Sequence, residues 1–463
     1  MSDVPVIRKE VMTEPVDELS DAVIFDVDAY VSEDYARAER DRLWRKVWQQ
    51  VGRVEDLPEV GDYLGYEILD DSVLVVRTAE GEIRAYHNVC AHRGRRLVET
   101  PAGARNASGR ARGGRFVCGY HGWTYDLSGR NTHVLHESDW KGALTEDCKG
   151  LAPVRVDTWS GWIFVNMDPD CEPLREYLEP AASRLEPFQL QNMRARWRKW
   201  GVFPCNWKVA MEAFNETYHV QTTHPEFNDF GSFRGWAKDQ GLHSNIGYVT
   251  ASDEDANQQA KLRIAGGDDP RVSTAQMQDY IWKNADTNTT QTLVDAAQRL
   301  VDELPEGTPA AEVQRHWIES ARRDDEARGV RWAEVDPEQV AASGTAWQIF
   351  PNFQIGHSVN NALCYSARPH GYDPDQCIFE AVVYGLYPEG EEPKAEWEHC
   401  RPTAEDWCYV LGQDFSNMAA VQQGMKSLGF GGPKPNPFME RSTAHLHRNL
   451  ARYMGTGAPR RLK

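Results

Sequence analysis

Apolar positions along the chain change spacing several times, and each change marks a change of predicted element. From about 28 to 50, Tyr30, Tyr35, Leu43, Trp44 and Trp48 recur at helical spacings, which predicts a helix. From Gly61 to Asn88 the pattern turns to short β-rich runs: Tyr63-Leu-Gly-Tyr-Glu-Ile-Leu, Ser72-Val-Leu-Val-Val-Arg and Ile83-Arg-Ala-Tyr. Asp70-Asp71 and Glu80-Gly81 separate them as hairpin turns would. Phe116-Val-Cys and Trp162-Ile-Phe-Val-Asn extend the β character. Beyond Pro187 the pattern predicts a strand over 196–203 and a helix over 207–222. A polar, mostly helical stretch follows, clearest over 279–304 and 310–328. β character resumes at Trp347-Gln-Ile-Phe and Cys377-Ile-Phe-Glu-Ala-Val-Val-Tyr, and a last helix is predicted over 442–454. The expected class is α+β. It comprises a helical N-terminal segment (1–44) packing on the larger domain, a small all-β domain (45–165), and the larger domain itself (166–463). That domain is an antiparallel sheet surrounded by helices and broken by a helical insertion at about 253–339.

Composition narrows the function classes. A net charge of -19 argues against nucleic-acid binding, which needs a basic surface. No run approaches the ~20 apolar residues of a membrane helix, and Met-Ser-Asp-Val-Pro lacks a secretory start, so a cytoplasmic protein is expected. Nine cysteines in a chain of 463 residues without such a start do not suggest a disulfide scaffold, so their spacing becomes the useful question.

Two pairs stand out: Cys90-Ala-His92 and Cys118-Gly-Tyr-His121. Two thiolates and two imidazoles in paired loops ligate either a structural zinc or an iron–sulfur cluster in which histidines replace two thiolates on one iron. The flanking text, Asn88-Val-Cys-Ala-His-Arg-Gly and Cys118-Gly-Tyr-His-Gly-Trp-Thr-Tyr-Asp, closely resembles the Rieske domain of ring-hydroxylating oxygenases. The 25 residues between His92 and Cys118 are more than that family usually has. The excess falls on the Gly/Ala/Arg stretch from Pro101 to Gly114, which reads as a mobile, solvated loop. The sharper reading is that its arginines, with Arg93, Arg95 and Arg96, dock an acidic electron donor.

A second constellation lies in Asn206-Trp-Lys-Val-Ala-Met-Glu-Ala-Phe-Asn-Glu-Thr-Tyr-His-Val-Gln-Thr-Thr-His-Pro-Glu. Pro225 disfavours helical geometry at His224, which lets that imidazole turn off a helix end toward a metal shared with His219. Two histidines and one carboxylate form the facial triad of non-haem Fe(II) oxygenases. The run resembles the mononuclear-iron helix of the same family, with Glu216 where an aspartate usually stands. Gly412-Gln-Asp-Phe-Ser-Asn-Met is similar to the family segment that supplies the third ligand, which falls on Asp414, with Asp406 and Glu440 as weaker alternatives.

The resemblance identifies the chain as a member of the Rieske non-haem iron oxygenases, of the catalytic alpha-subunit kind. It implies a helix-grip-like catalytic domain, a [2Fe-2S] cluster on Cys90, His92, Cys118 and His121, and mononuclear Fe(II) on His219, His224 and Asp414. It also implies a homotrimer, with or without a small beta subunit, in which Glu216 bridges a cluster histidine (His121) and an iron-ligand histidine (His219) across a subunit interface. The chain lacks a Gly-x-Gly-x-x-Gly after any strand, so NAD(P)H would act only through a separate flavin reductase, ferredoxin or both. The expected reaction is O2-dependent hydroxylation of an aromatic or polycyclic substrate. The alternatives are O- or N-demethylation, or oxidation of a quaternary amine, since family members acting on carnitine-like amines share the glutamate. Phe214, Phe353, His357, Met418 and Val421 are candidate pocket residues. Readings from other classes are a pure electron carrier and a zinc-stabilised interaction protein.

Overall fold

The structure is a computed structural model that describes residues 12–463 apart from 17, 20, 232 and 251–268, so the start of the expected insertion lies outside the described residues. The chain forms two compact units, Arg37–Tyr177 and the remainder, which joins residues up to Ala36 to Leu178–Lys463. Both mix sheet and helix, as an α+β class requires. Among the described residues no helix is long and apolar enough to cross a membrane.

The smaller unit is built on a seven-stranded antiparallel sheet. Its order is Gln49–Arg53, Trp162–Asn166, Pro153–Trp159, Glu82–His87, Asp71–Ala79, Asp62–Ile68 and Ser108–Arg110. A three-stranded sheet of Arg115–Val117, Thr124–Asp126 and Asn131–His133 carries the second cysteine pair at its turn. The helix predicted over 28–50 is shorter. It runs in pieces, Asp28–Val31 and Glu33–Glu39, and unwinds through a π turn at Arg40–Trp44. The Gln49 side chain takes the Trp44 carbonyl (2.6 Å), and Gln49 then starts a strand.

The stretch from Pro101 to Gly114 is mostly exposed but is not all loop. Ser108–Arg110 is an edge strand on Asp62–Ile68, and Ala107 and Ala111 are buried. Arg110 pairs with Asp62 and Glu59, Arg96 with Glu67, and Arg95 with Glu99. Half of the basic charge expected to face a partner is thus matched within the unit.

The larger unit holds an eight-stranded sheet. Phe233–Gln240, His243–Thr250, Ala346–Ile349, Phe353–His357, Asn361–Pro369 and Cys377–Gly385 form a meander, followed by the earlier strand Arg194–Phe203 and a short parallel edge, Trp397–His399. The helices between Thr250 and Ala346 leave this meander and return to it. They pack around their own core of Leu293, Ala297, Leu300, Val313, Trp317 and Trp332. A buried carboxylate, Asp325, ties that core by accepting from Thr292 Oγ1 (2.8 Å) and Trp332 Nε1 (2.5 Å). The helix predicted over 279–304 is broken into Pro270–Asn284, Gln291–Gln298 and Leu300–Glu303, with Asp286 and Asn288 in left-handed conformation between the first two.

The helix predicted over 207–222 stops at Glu212, and a short helix, Val220–Thr223, follows. The carbonyls of Phe214 and Asn215, which would continue it, are taken by the Gln354 side chain from the sheet and by Ser442 of the C-terminal helix Arg441–Met454. Side-chain donors that capture backbone carbonyls in this way compete with the helical ladder. The irregular stretch so produced carries the candidate site.

Candidate metal centres

In the smaller unit the two Cys–His loops are near copies of one another. Cys90 N–H donates to Arg95 O and Gly94 N–H returns to Cys90 O; Cys118 N–H donates to Trp123 O and Gly122 N–H returns to Cys118 O. Gly94 (φ 76°) and Gly122 (φ 72°) supply the left-handed residue each tight loop needs. The loops bring the four candidate ligands together. Cys90 and Cys118 are buried and form no disulfide, and burial, with the neighbouring Cys118 adding to it, pushes the Cys90 thiol up although the Tyr125 and His92 hydrogen bonds work the other way. The His92 and His121 rings meet at 4.6 Å, and His92 stacks on Trp123 at 4.9 Å. His121 Nδ1 is buried with no hydrogen-bond partner, a nitrogen that a metal would satisfy. Tyr125, which sequence reasoning left unassigned, places its hydroxyl 3.1 Å from Cys90 Sγ and accepts the Ala91 N–H at 3.1 Å.

In the larger unit His219 stands just ahead of Val220–Thr223, and His224 ends that helix with φ -118° and ψ 63°. Asp414 projects from the helix Tyr409–Met425. Ligand atoms of these three residues lie within 4.8 Å of one another. Asp414 Oδ1 is 2.9 Å from His224 Nε2 and 3.4 Å from His219 Nε2. The opposite ring nitrogens are already engaged, His219 Nδ1 by Glu216 Oε1 and His224 Nδ1 by Gln413 Oε1 (2.8 Å). Both Nε2 atoms are therefore the ones turned to the shared space. Burial works against a charged His219, yet the hydrogen bond and charge of Glu216, helped by Asp414 and Glu440, outweigh it and raise its pKa. A site that favours positive charge in this way suits a cation held by two imidazoles and a carboxylate.

Glu216 is tied to its own segment. Its Oε2 also accepts the backbone N–H groups of Tyr218 and His219, the latter at 3.2 Å. Beside it opens a cavity of about 320 Å³. Val209, Met418, Val421 and Met425 line its apolar wall, and Glu212, Glu216, Asp414, Glu440 and Lys434 contribute charged groups to the lining. Glu212 is held from behind by Tyr30 (2.8 Å) and His447 (2.7 Å). Burial, with the charges of Glu216 and Glu212, pushes the Glu440 carboxyl up to about 7 although the Asn436 N–H works the other way.

Of the weaker candidates, Asp406 is tied to Arg401 in an exposed loop, whereas Glu440 shares the cavity. Met418 and Val421 line that cavity; Phe214 instead stacks on Tyr365 (4.1 Å), and His357 packs edge-on against Phe188 (4.4 Å). Tyr365, from a strand of the meander, is buried and comes close enough to Asp414 for its charge to add to the burial that raises the phenol. Sequence reasoning also missed Gln413 and Glu226. The only available signal was that Gln413 precedes Asp414.

A family model for the ring hydroxylating alpha subunit (catalytic domain) matches residues 175–456. The chain belongs to this family. A second model, the Rieske [2Fe-2S] domain, matches residues 47–142 and covers all four residues of the paired loops. The cofactors are therefore a [2Fe-2S] Rieske cluster and a mononuclear iron, and both donor sets fit them. The alpha subunit is 35% identical over 205 residues to the biphenyl 2,3-dioxygenase subunit alpha of Rhodococcus jostii (strain RHA1), 42% of each chain. It is 32% identical over 199 residues to the glycine betaine monooxygenase oxygenase subunit of Pseudomonas aeruginosa (strain UCBPP-PA14), 42% of this chain and 44% of that one. The matched stretch thus spans less than half the length of these curated relatives. Among solved structures, the quaternary ammonium Rieske monooxygenase CntA with L-carnitine superposes with a TM-score of 0.62 at 17% identity, over 96% of this chain and 100% of that one. A naphthalene 1,2-dioxygenase mutant bound to phenanthrene gives 0.57 at 18%, over 96% and 95%. At these identities the likeness is one of fold.

Proposed function

We propose that this alpha subunit is the terminal component of an oxygenase that inserts oxygen from O2 into a small organic substrate. The observation that carries this reading is the convergence of His219, His224 and Asp414 within 4.8 Å, in a chain that also carries the paired Cys–His loops. An electron carrier would need only the loops. When bound, a cluster on Cys90, His92, Cys118 and His121 supplies single electrons, and ferrous iron on His219, His224 and Asp414 supplies O2 activation.

The chain's own residues prepare that chemistry. Glu216 keeps a proton on His219 Nδ1 and so presents the Nε2 lone pair, a role seen widely behind metal-bound imidazoles. It is also the residue we assign to the bridge between His219 and a cluster histidine of a neighbouring copy in a homotrimer, with or without a beta subunit. Electrons would come from a ferredoxin, a flavin reductase or both in the cytoplasm, with NAD(P)H acting only through them.

Hydroxylation of an aromatic or polycyclic compound remains the first reading of the substrate. One observation favours a second, oxidation or demethylation of a cationic amine: four carboxylates and one lysine, Lys434, line one small cavity beside the triad, next to the apolar Val209, Met418, Val421 and Met425. A cationic head and an apolar body would match that lining.

The test is to reconstitute the purified chain anaerobically with iron and sulfide and compare it with His219→Ala. About three irons and two sulfides per chain, a Rieske EPR signal, and loss of one iron in the variant are expected. Two irons in both proteins would reduce the chain to an electron carrier. O2 consumption coupled to product, with biphenyl in one assay and a trimethylammonium carboxylate in another, decides between the substrate classes.

A further inference from the structure

The two histidines are supported from behind in different ways. His219 Nδ1 meets a carboxylate directly, but His224 Nδ1 meets the amide of Gln413, and that amide is itself held by a carboxylate. Gln413 Nε2 lies 3.2 Å from Glu226 Oε2 and 3.3 Å from Oε1, while the Tyr409 hydroxyl donates to Oε1 at 3.1 Å.

The direction of this chain follows from what each group can do. An ionised carboxylate only accepts, so the Gln413 atom facing Glu226 must be its NH2. Its carbonyl oxygen, which also only accepts, then faces His224, and Nδ1 must carry the proton. The Nε2 lone pair is left facing the shared space, 2.9 Å from Asp414 Oδ1. Amide orientation is ordinarily ambiguous; here Glu226 removes the ambiguity.

We infer that Gln413, oriented by Glu226, is a positioning residue that fixes the tautomer and ring orientation of His224 for metal binding. The inference rests on the proposed role of His224 as an iron ligand. It makes the two imidazoles unequal donors: His219 is backed by a full negative charge, His224 by a neutral carbonyl with the charge one residue further away.

The experiment uses the full chain with its cluster assembled, and titrates Fe(II) anaerobically into wild type, Gln413→Leu, Gln413→Glu and the exchange Gln413→Glu/Glu226→Gln. Gln413→Leu is expected to weaken Fe(II) binding by roughly 10- to 100-fold, the usual effect of losing such a partner. Its Fe(II)–nitrosyl EPR spectrum should change while the Rieske signal does not. Gln413→Glu sets a second carboxylate against Glu226 and should also weaken binding. The exchange restores one donor and one acceptor at each step, so it should recover affinity to within a few-fold of wild type. A merely structural role predicts no such rescue. Wild-type affinity and an unchanged nitrosyl spectrum in Gln413→Leu, or no recovery in the exchange, would overturn the inference while leaving the iron site intact. Failure of wild type itself to take up the third iron would overturn the proposed function as well.

Discussion

The two metal centres are assembled by opposite strategies. The cluster unit builds its four-residue set from two short loops in one stretch of chain, and each loop closes on itself through the same pair of backbone hydrogen bonds and the same left-handed glycine. The catalytic unit has no such symmetry. His224 meets Gln413 across 189 residues, and the helix that should lead to His219 is stopped by Gln354 and Ser442, which are 140 and 227 residues from the carbonyls they capture. A centre made of self-closing loops depends mainly on local backbone geometry. One made by convergence depends on the whole unit being folded.

Breaking one ligand in each unit should show the largest effects. His219→Ala is expected to abolish turnover while the cluster spectrum survives. Cys118→Ser should abolish the cluster while Fe(II) still binds at the triad. Iron and sulfide analysis with EPR reads both, and joint loss in either variant would contradict the independence of the two centres.

Acid should separate the units next. Burial pushes His357 and His445, both in the catalytic unit, down to about 4. Each stays neutral in the fold but takes a proton in the unfolded chain below about 6.5. The stability they confer is whole above that pH and is lost as pH falls toward 4, by up to about 3 kcal/mol each. Burial outweighs the Ser343 backbone contact that works the other way at His357, so His357→Leu should flatten the acid limb of urea unfolding between pH 7 and 5. An unchanged limb would mean that the ring is charged or solvated.

A smaller effect tests the loops. An alanine side chain at Gly122 would meet nothing within 4 Å, so Gly122→Ala should cost only its left-handed backbone, about 1–2 kcal/mol, with a more labile cluster and unaltered Fe(II) binding. The smallest is electronic. Tyr125→Phe removes one hydrogen bond worth about 1 kcal/mol from Cys90 Sγ, and should lower the cluster potential by on the order of 40 mV, measured by redox titration.

The same contrast explains what could be read in advance. Cys90, His92, Cys118 and His121 could be singled out by close spacing together with flanking text that resembles a known family, and His219 with His224 by the same resemblance, Pro225 adding only that the second can leave its helix. The end of the helix after Trp207 was not legible, since nothing local announces that Gln354 and Ser442 will capture its carbonyls. Gln413 was hidden for a different reason: an amide has no diagnostic spacing, and its use depends on Glu226 arriving from another element. In the exposed 101–114 stretch, composition hid one element, the strand Ser108–Arg110. Gly, Ala and Arg suggest a solvated loop, but an edge strand needs only backbone groups in register, which Asp62–Leu64 provide to Ser108–Arg110.

The anchoring of Glu216 has a further consequence. Its carboxylate accepts two backbone N–H groups and the His219 ring N–H, three bonds that oppose a swing when the charge beside it changes. The methylene that distinguishes it from aspartate lets the carboxylate fold back over its own backbone. In electron-transfer terms it is an acceptor group oriented in place before the event, and a group already oriented adds little reorganisation energy when charge changes nearby.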